Sequence, residues 1–302
     1  MNNTSQEFGL FIDNIRSSRN MSREDFVDGI MSTRQFRRFL KGESSITIEK
    51  IVMLINRLEL EFFTLYNQFL RSSNVEYNII TSIYNHIMLL QYKEAYNIIS
   101  KHNDYPFTSP YYKKVFKLYE IITNHKLLRI SNEMVLNSLE NNIDYSKTMN
   151  NNQLNFIELT ALIYISQIID NSTKRKSIMI KLYDIIKNDN ILDINEKDNR
   201  IITIYASFSK LLGIQHEYEK VIFVAKKGIQ LCEKYKTTTS LAHLYYYCAL
   251  GYLEQKKKEK ALYYAKKTFF TLEIENANLR YKAFEDSFEK HFNIKFDEFK
   301  TW

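Results

Sequence analysis

The segment "STRQFRRFLKG" (residues 32–42) brings four cationic side chains together, and the next acid is Glu43. The four are Arg34, Arg37, Arg38 and Lys41. Guanidinium groups donate hydrogen bonds to phosphate oxygens and to the guanine edge in the major groove. Residues 1–71 hold ten Lys and Arg against nine Asp and Glu, so the segment as a whole is nearly neutral. The positive charge of residues 34–41 therefore comes from clustering of cations and not from an excess of them in the segment. This spacing favours contact with nucleic acid.

A short amphipathic helix is expected to carry these cations. Ser32 followed by Gln35 is typical of a capping box, and Gly42 is a left-handed residue of the kind that ends helices. At about 100° per residue, the helix has one apolar face that we expect to be buried, formed by Phe36, Phe39 and Leu40. The cations then project from the opposite face. The alternative is an ordinary helix with a solvated basic face.

The flanking sequence predicts four more short helices. Apolar residues at helical spacing indicate the first over about residues 5–18, Ser22 with Asp25 starts a second, and Thr47 opens a fourth. A fifth is expected from near Glu59, with a buried aromatic face formed by Phe62, Phe63, Tyr66 and Phe69. Five short helices, with the second and third joined by a tight turn at Gly29, are typical of a helix-turn-helix domain.

The stretch "GIMSTRQFRRFLKGESSITIEK" resembles the DNA-binding domain of the Rgg, PlcR and PrgX group of peptide-responsive regulators. The resemblance implies that Thr33, Arg34, Gln35 and Arg38 face bases, and that Arg23 and Arg37 contact phosphate, with Lys41 on the same basic face. This chain departs from the group's pattern at two positions. Arg23 replaces a Gln early in the second helix, and Leu40 replaces an acid two residues before the closing Gly.

The remainder of the chain contains a repeat. "YEKVIFVAKKGI" (218–229) and "KEKALYYAKKTF" (258–269) align forty residues apart, and "YKEAYNIIS" (92–100) is a weaker copy. Each copy follows a longer amphipathic helix, which resembles the tetratricopeptide pattern, with signature positions at Tyr245, Ala249, Tyr252 and Ala261.

We therefore predict an all-α fold: a helix-turn-helix domain over residues 1–70, then a right-handed tetratricopeptide-like superhelix over residues 71–302. The second domain is expected to contain five helix pairs and a C-terminal cap, which is a final helix pair from about residue 275. Two of the pairs are degenerate and cover residues 109–141 and 153–188. The Asn-rich segment 137–155 is expected to be a mobile loop.

The first helices of such pairs line a concave side that suits an extended peptide. Counting along the repeat gives seven candidate peptide-binding residues: Tyr84, Asn85, Gln167, Tyr205, Lys210, His243 and Tyr246. The alternative for each aromatic residue is that it packs in the core and does not contact a peptide. Aromatic residues at helical spacing are more often packed between helices than exposed.

Composition argues against other classes of protein. The chain has 302 residues, a formal charge of +7, six Gly, two Pro and two Cys. We find no nucleotide-binding, metalloprotease or nucleophile-elbow motif, and the six His are scattered, so we expect no enzyme activity, no metal and no cofactor. Cys232 and Cys248 are expected to be small buried hydrophobic residues. With neither a secretory signal nor a membrane span apparent, a cytoplasmic protein is expected.

The leading hypothesis is a transcriptional regulator that binds DNA as a homodimer and senses a short signalling peptide in quorum sensing. One alternative is a scaffold that sequesters a partner protein without binding DNA. Another is a regulator whose repeats serve only oligomerisation.

Overall fold

A computed structural model of the chain describes residues 3–192, 199–275, 278–293, 295 and 298. The residues up to Lys113 form one compact unit, and those from Lys114 onward form a second. Within the described residues, β pairing is limited to one isolated bridge between Leu154 and Ile191. The predicted all-α class is confirmed. The functional boundary near residue 70 stays a prediction, because a compact unit need not coincide with a functional one.

The first unit opens with five short helices. They are α1 (Asn3–Ser18), α2 (Arg23–Val27), α3 (Thr33–Leu40), α4 (Ile48–Arg57) and α5 (Phe62–Ser73). Their buried apolar side chains form one cluster, whose largest fully buried members are Phe26, Phe36, Phe39, Ile12, Leu54, Ile55 and Leu58. No helix is long enough to bury its own apolar stripe alone, so the five depend on this shared core.

The fifth helix differs from the prediction at one aromatic residue. Phe63 is 70% exposed, whereas Leu65 and Phe69 are buried. One face of the helix has the i, i+3, i+4, i+7 spacing and contains residues 62, 65, 66 and 69. Phe63 follows Phe62 by one residue, a rotation of about 100°, and so points away from that face. The helix is capped by Glu61, whose carboxylate accepts from the backbone N–H groups of Phe63 and Thr64.

Five helix pairs follow along the described residues. They are α6 (Val75–Met88) with α7 (Tyr92–Lys101), α8 (Pro110–Lys126) with α9 (Asn132–Ile143), α11 (Phe156–Ile168) with α12 (Ser172–Lys187), α13 (Arg200–Ile214) with α14 (Tyr218–Tyr235), and α15 (Leu241–Glu254) with α16 (Lys258–Glu275). A last described helix, α17 (Asn278–Phe292), follows α16. The five predicted pairs are confirmed, and of the predicted final pair from about residue 275 the structure describes one helix, α17.

The segment predicted as a mobile loop is instead largely helical. Residues 137–143 complete α9, and a short helix α10 (Tyr145–Asn150) follows at once. Asp144 adopts a left-handed conformation and its side chain caps α10 at the N–H of Lys147. The Thr148 hydroxyl donates to the carbonyl of Ile143 at 2.7 Å. Asp144 and, at the start of α11, Asn155 therefore act as helix caps in a segment whose composition predicted a loop.

Small residues sit where the helices of the second unit approach most closely. A Cβ placed on Gly228 of α14 would lie 2.7 Å from Leu244 Cδ2 and 2.9 Å from Tyr205 Cβ. Ala225, Ala249 and Ala265 are fully buried. Ala225 and Ala265 are the alanines of the two Ala-Lys-Lys copies, and their burial explains why that position is small in both.

Both cysteines are free and buried. Burial raises the pKa of the Cys232 thiol to about 12, as it does the pKa of the Cys248 thiol. The prediction that they are small buried hydrophobic residues is confirmed. No described helix is long and apolar enough to cross a membrane.

Replacing Gly228 by Ala is expected to destabilise the repeats relative to replacing Gly213 by Ala. The two positions share the gain in helix propensity of about 1 kcal/mol. Only Gly228 meets close neighbours, since the nearest atom to a Cβ on Gly213 is Val221 Cγ2 at 4.0 Å. Urea unfolding should place G228A about 1–3 kcal/mol below G213A, the range for overpacked sites. Equal stabilities would show that the helices α13, α14 and α15 pack less tightly around Gly228 than these distances indicate.

Candidate nucleic-acid interface

Both ends of α3 are fixed by local hydrogen bonds. The Ser32 hydroxyl accepts from the N–H of Gln35, and the Gln35 Oε1 accepts from the N–H of Ser32, each at 3.2 Å. At the other end Gly42 has a φ of 73°, its N–H donates to the carbonyl of Phe39, and the N–H of Glu43 donates to that of Arg38. This pair of bonds is the Schellman motif. The predicted capping box and glycine stop are confirmed.

The apolar face of α3 packs into the core of the first unit. Phe36 meets Phe26 of α2 edge to face, with ring centroids 5.5 Å apart. Phe39 lies over Gly9 of α1, where a Cβ would come within 2.4 Å of the ring. Leu40 is buried beside them. These contacts fix the rotation of α3 about its axis.

The opposite face of α3 is cationic and exposed. Arg34, Arg37, Arg38 and Lys41 are all solvent-exposed, as predicted. The nearest acid is Glu43, whose Oε2 lies 3.8 Å from Arg38 Nε, with both side chains more than half exposed. Such an exposed pair contributes little to stability. The cations therefore remain available to an anionic partner.

Arg23, the expected phosphate contact, is bound within the domain. Its Nη2 donates to Asp13 Oδ2 at 2.6 Å, and Arg16 Nε donates to Asp13 Oδ1 at the same distance. Burial raises the pKa of Asp13, but the hydrogen bonds and charges of Arg23 and Arg16 outweigh it and leave that pKa below 3.8. A phosphate contact by Arg23 stays a prediction, and it would have to compete with Asp13.

Three arginines of the first unit donate to backbone carbonyls at or just beyond helix ends, and they were not singled out from the sequence. Arg57 of α4 donates to the carbonyls of Asp25, Phe26 and Asp28 at the end of α2, at 2.6 to 3.1 Å. Arg16 donates to the carbonyl of Met21, and Arg19 to that of Leu58. A cation near the carbonyl end of a helix is the only local signal for such contacts.

The seven candidate peptide-binding residues fall into three groups. Asn85, Gln167 and Lys210 are exposed, and Tyr84 and His243 are half-buried. Tyr205 and Tyr246 are buried, which corrects the expectation that their side chains line the concave groove.

Helix packing explains both corrections. Tyr205 packs on Gly228, and Tyr246 contacts Phe284 and Phe288 of α17 with ring centroids 5.3 Å apart. Their rings therefore face neighbouring helices.

Gln167 lines a cleft of about 180 Å³ in the second unit, together with Ser166, Arg175, Leu211, Ile214 and Gln215. Arg175 donates to the carbonyl of Ser166 at 3.1 Å and to that of Ile169, at the end of α11. The part of the chain that the structure describes contains no group of three His, Cys, Asp or Glu side chains placed to hold a metal ion.

Replacing Asp13 by Asn should destabilise the first unit at neutral pH. The change removes charge-assisted hydrogen bonds to two arginines, which is expected to cost about 2–3 kcal/mol. Because the folded pKa of Asp13 is lowered, its contribution is present above the ordinary value of 3.8 and is lost as the pH falls through the folded pKa. Urea unfolding followed by circular dichroism should show a difference between wild type and D13N that shrinks in acid. A difference independent of pH would contradict this assignment.

No protein-family model matches the chain, and no curated protein matches it in sequence. Solved structures do match in fold. PlcR of Bacillus thuringiensis, in complex with the peptide PapR7 and DNA, is 15% identical with a TM-score of 0.70, over 92% of this chain and 98% of PlcR. ComR of S. thermophilus, in complex with DNA and its signalling peptide ComS, is 15% identical with a TM-score of 0.63, over 93% and 98%. The SHP pheromone receptor Rgg2 of Streptococcus dysgalactiae is 11% identical with a TM-score of 0.63, over 94% and 99%. The chain therefore has the fold of PlcR, ComR and Rgg2, as the resemblance in its sequence predicts.

Proposed function

We propose that this protein is a DNA-binding transcriptional regulator whose helix pairs sense a short signalling peptide. The observation that carries the proposal is the face of α3, where four exposed cations stand opposite a fully buried aromatic face on a helix capped at both ends. The likeness in fold to PlcR and ComR, each solved with DNA and a peptide, supports it. A catalytic role has no support in the sequence motifs.

The proposed DNA contacts are the cations of α3. An α-helix fits the major groove, and its exposed arginines can reach both guanine edges and flanking phosphates. Arg37 flanks the face and suits phosphate, whereas Arg34, Arg38 and Lys41 stand closer to its centre. Phosphate contacts of this kind release counterions, so the binding must weaken steeply with salt.

The expectation of a dimer follows from the small number of base pairs that a single recognition helix can contact. One recognition helix contacts few base pairs, and two half-sites related by two-fold symmetry supply the missing specificity. We propose a homodimer on a two-fold operator, located in the cytoplasm where the DNA is.

The peptide is proposed to bind on the first helices of the pairs. In the second unit, Gln167 and Lys210 are exposed on first helices and can pair with backbone amides of an extended ligand. The half-buried His243 is proposed to border that surface, and the buried Tyr205 and Tyr246 to support it from behind. Tyr84 and Asn85 belong to the first unit and stay separate candidates. A peptide can regulate DNA binding only if its affinity differs between two arrangements of the protein.

Gel-shift on DNA upstream of the gene tests the DNA-binding role. Wild type should bind with a strong salt dependence, and R34A/R38A should lose about 100-fold or more in affinity, since each base-directed Arg contributes about 1–3 kcal/mol. K256A/K258A is the matched control, because it removes two exposed cations, one in the turn between α15 and α16 and one at the first residue of α16. Equal losses in both variants would point to bulk charge, and absence of wild-type binding to any genomic fragment would favour a scaffold.

Calorimetry against short hydrophobic peptides encoded beside the gene tests the sensing role. One peptide should bind and change the affinity for DNA, and DNA should change the affinity for that peptide by the same factor. Lys210→Ala should weaken peptide binding while leaving DNA binding without peptide unchanged. If no neighbouring peptide binds, the alternative in which the repeats serve only oligomerisation is favoured.

A further inference from the structure

The exposed side chains of α3 do not point in the same direction. At about 100° per residue, Arg34, Arg38 and Lys41 lie within roughly 35° of the direction opposite the buried side chains, and Arg34 lies nearest to it. Gln35 lies roughly 90° from that direction by the same count. The base-directed part of the helix surface is therefore centred on Arg34.

The side chain of Gln35 is also committed to its own helix. Its Oε1 accepts the N–H of Ser32 at 3.2 Å, which closes the capping box. A glutamine recognises adenine with two hydrogen bonds, one accepted by its oxygen and one donated by its nitrogen. With the acceptor already bound to the backbone, Gln35 cannot form that pair without opening the start of α3.

Arg34 has the opposite properties. It is exposed, and it has no ion pair or side-chain hydrogen bond with any residue that the structure describes. It is the second residue of α3, in the N-terminal part from which recognition helices reach base edges. Its planar fork matches the O6 and N7 acceptors of guanine. Arg38, one turn later, lies beside Glu43.

We infer that Arg34, and not Gln35, determines base specificity, and that it reads a guanine in each half-site. The inference rests on the proposed DNA-binding function and adds to it the identity of one base and of the residue that reads it. Gln35 acts as a positioning residue, because its hydrogen bond to Ser32 holds the turn from which Arg34 projects.

The test is selection from a random duplex library with wild type, R34K and Q35E, followed by affinity measurements on single-base variants of the enriched site. R34K keeps the charge but loses the two-donor fork. Q35E keeps a residue that can close a capping box, since Glu serves at this position as Gln does. Wild type should enrich a guanine in each half-site and bind its replacement roughly 5- to 150-fold more weakly.

R34K should lose the preference for that guanine and keep salt-dependent binding, whereas Q35E should keep the preference with uniformly lower affinity. The inference is overturned if Q35E changes the enriched bases while R34K does not, or if the wild-type site has no guanine that depends on Arg34. A wild type that enriches no sequence at all would instead reject the proposed function, and the inference with it.

Discussion

The contact between Phe39 and Gly9 fixes the orientation of the functional helix. The ring occupies the space that any larger side chain at position 9 would fill, so α3 lies directly on the backbone of α1. Phe36 locks the same face against Phe26. Because a helix has one rotational degree of freedom about its axis, burial of these rings leaves the cations of α3 facing solvent. The presentation of the basic face is thus a consequence of aromatic packing.

Arginines have two separate roles in this unit. Arg16, Arg19, Arg23 and Arg57 bind a buried carboxylate or backbone carbonyls, and their charges are used to join helices. The cations of α3 are close to one another and exposed, with Glu43 the nearest acid, so they repel each other in the free protein. That arrangement costs stability and creates a local positive potential. Binding of a polyanion would relieve this repulsion.

Local signals were sufficient for much of the fold and for the basic helix. Ser32, Gln35 and Gly42 specify the ends of α3 within a few residues, and the repeated Ala-Lys-Lys copies locate α14 and α16. Burial that depends on distant helices was not predictable in the same way. Tyr205 and Tyr246 are covered by α14 and α17, and the Asp13–Arg23 pair joins residues ten positions apart. The prediction of a mobile loop over residues 137–155 was wrong for a related reason. Asn and Asp are frequent both in loops and at helix caps, so composition alone does not show which of the two they form.

Methylation protection on a bound operator tests most directly whether the basic face enters the major groove. Dimethyl sulfate modifies guanine at N7 in the major groove and adenine at N3 in the minor groove. The account predicts that the protein protects guanine N7 at symmetric positions in two half-sites and leaves adenine N3 between them reactive. Protection confined to adenine N3, or no protection of guanine N7 at saturating protein, would contradict it.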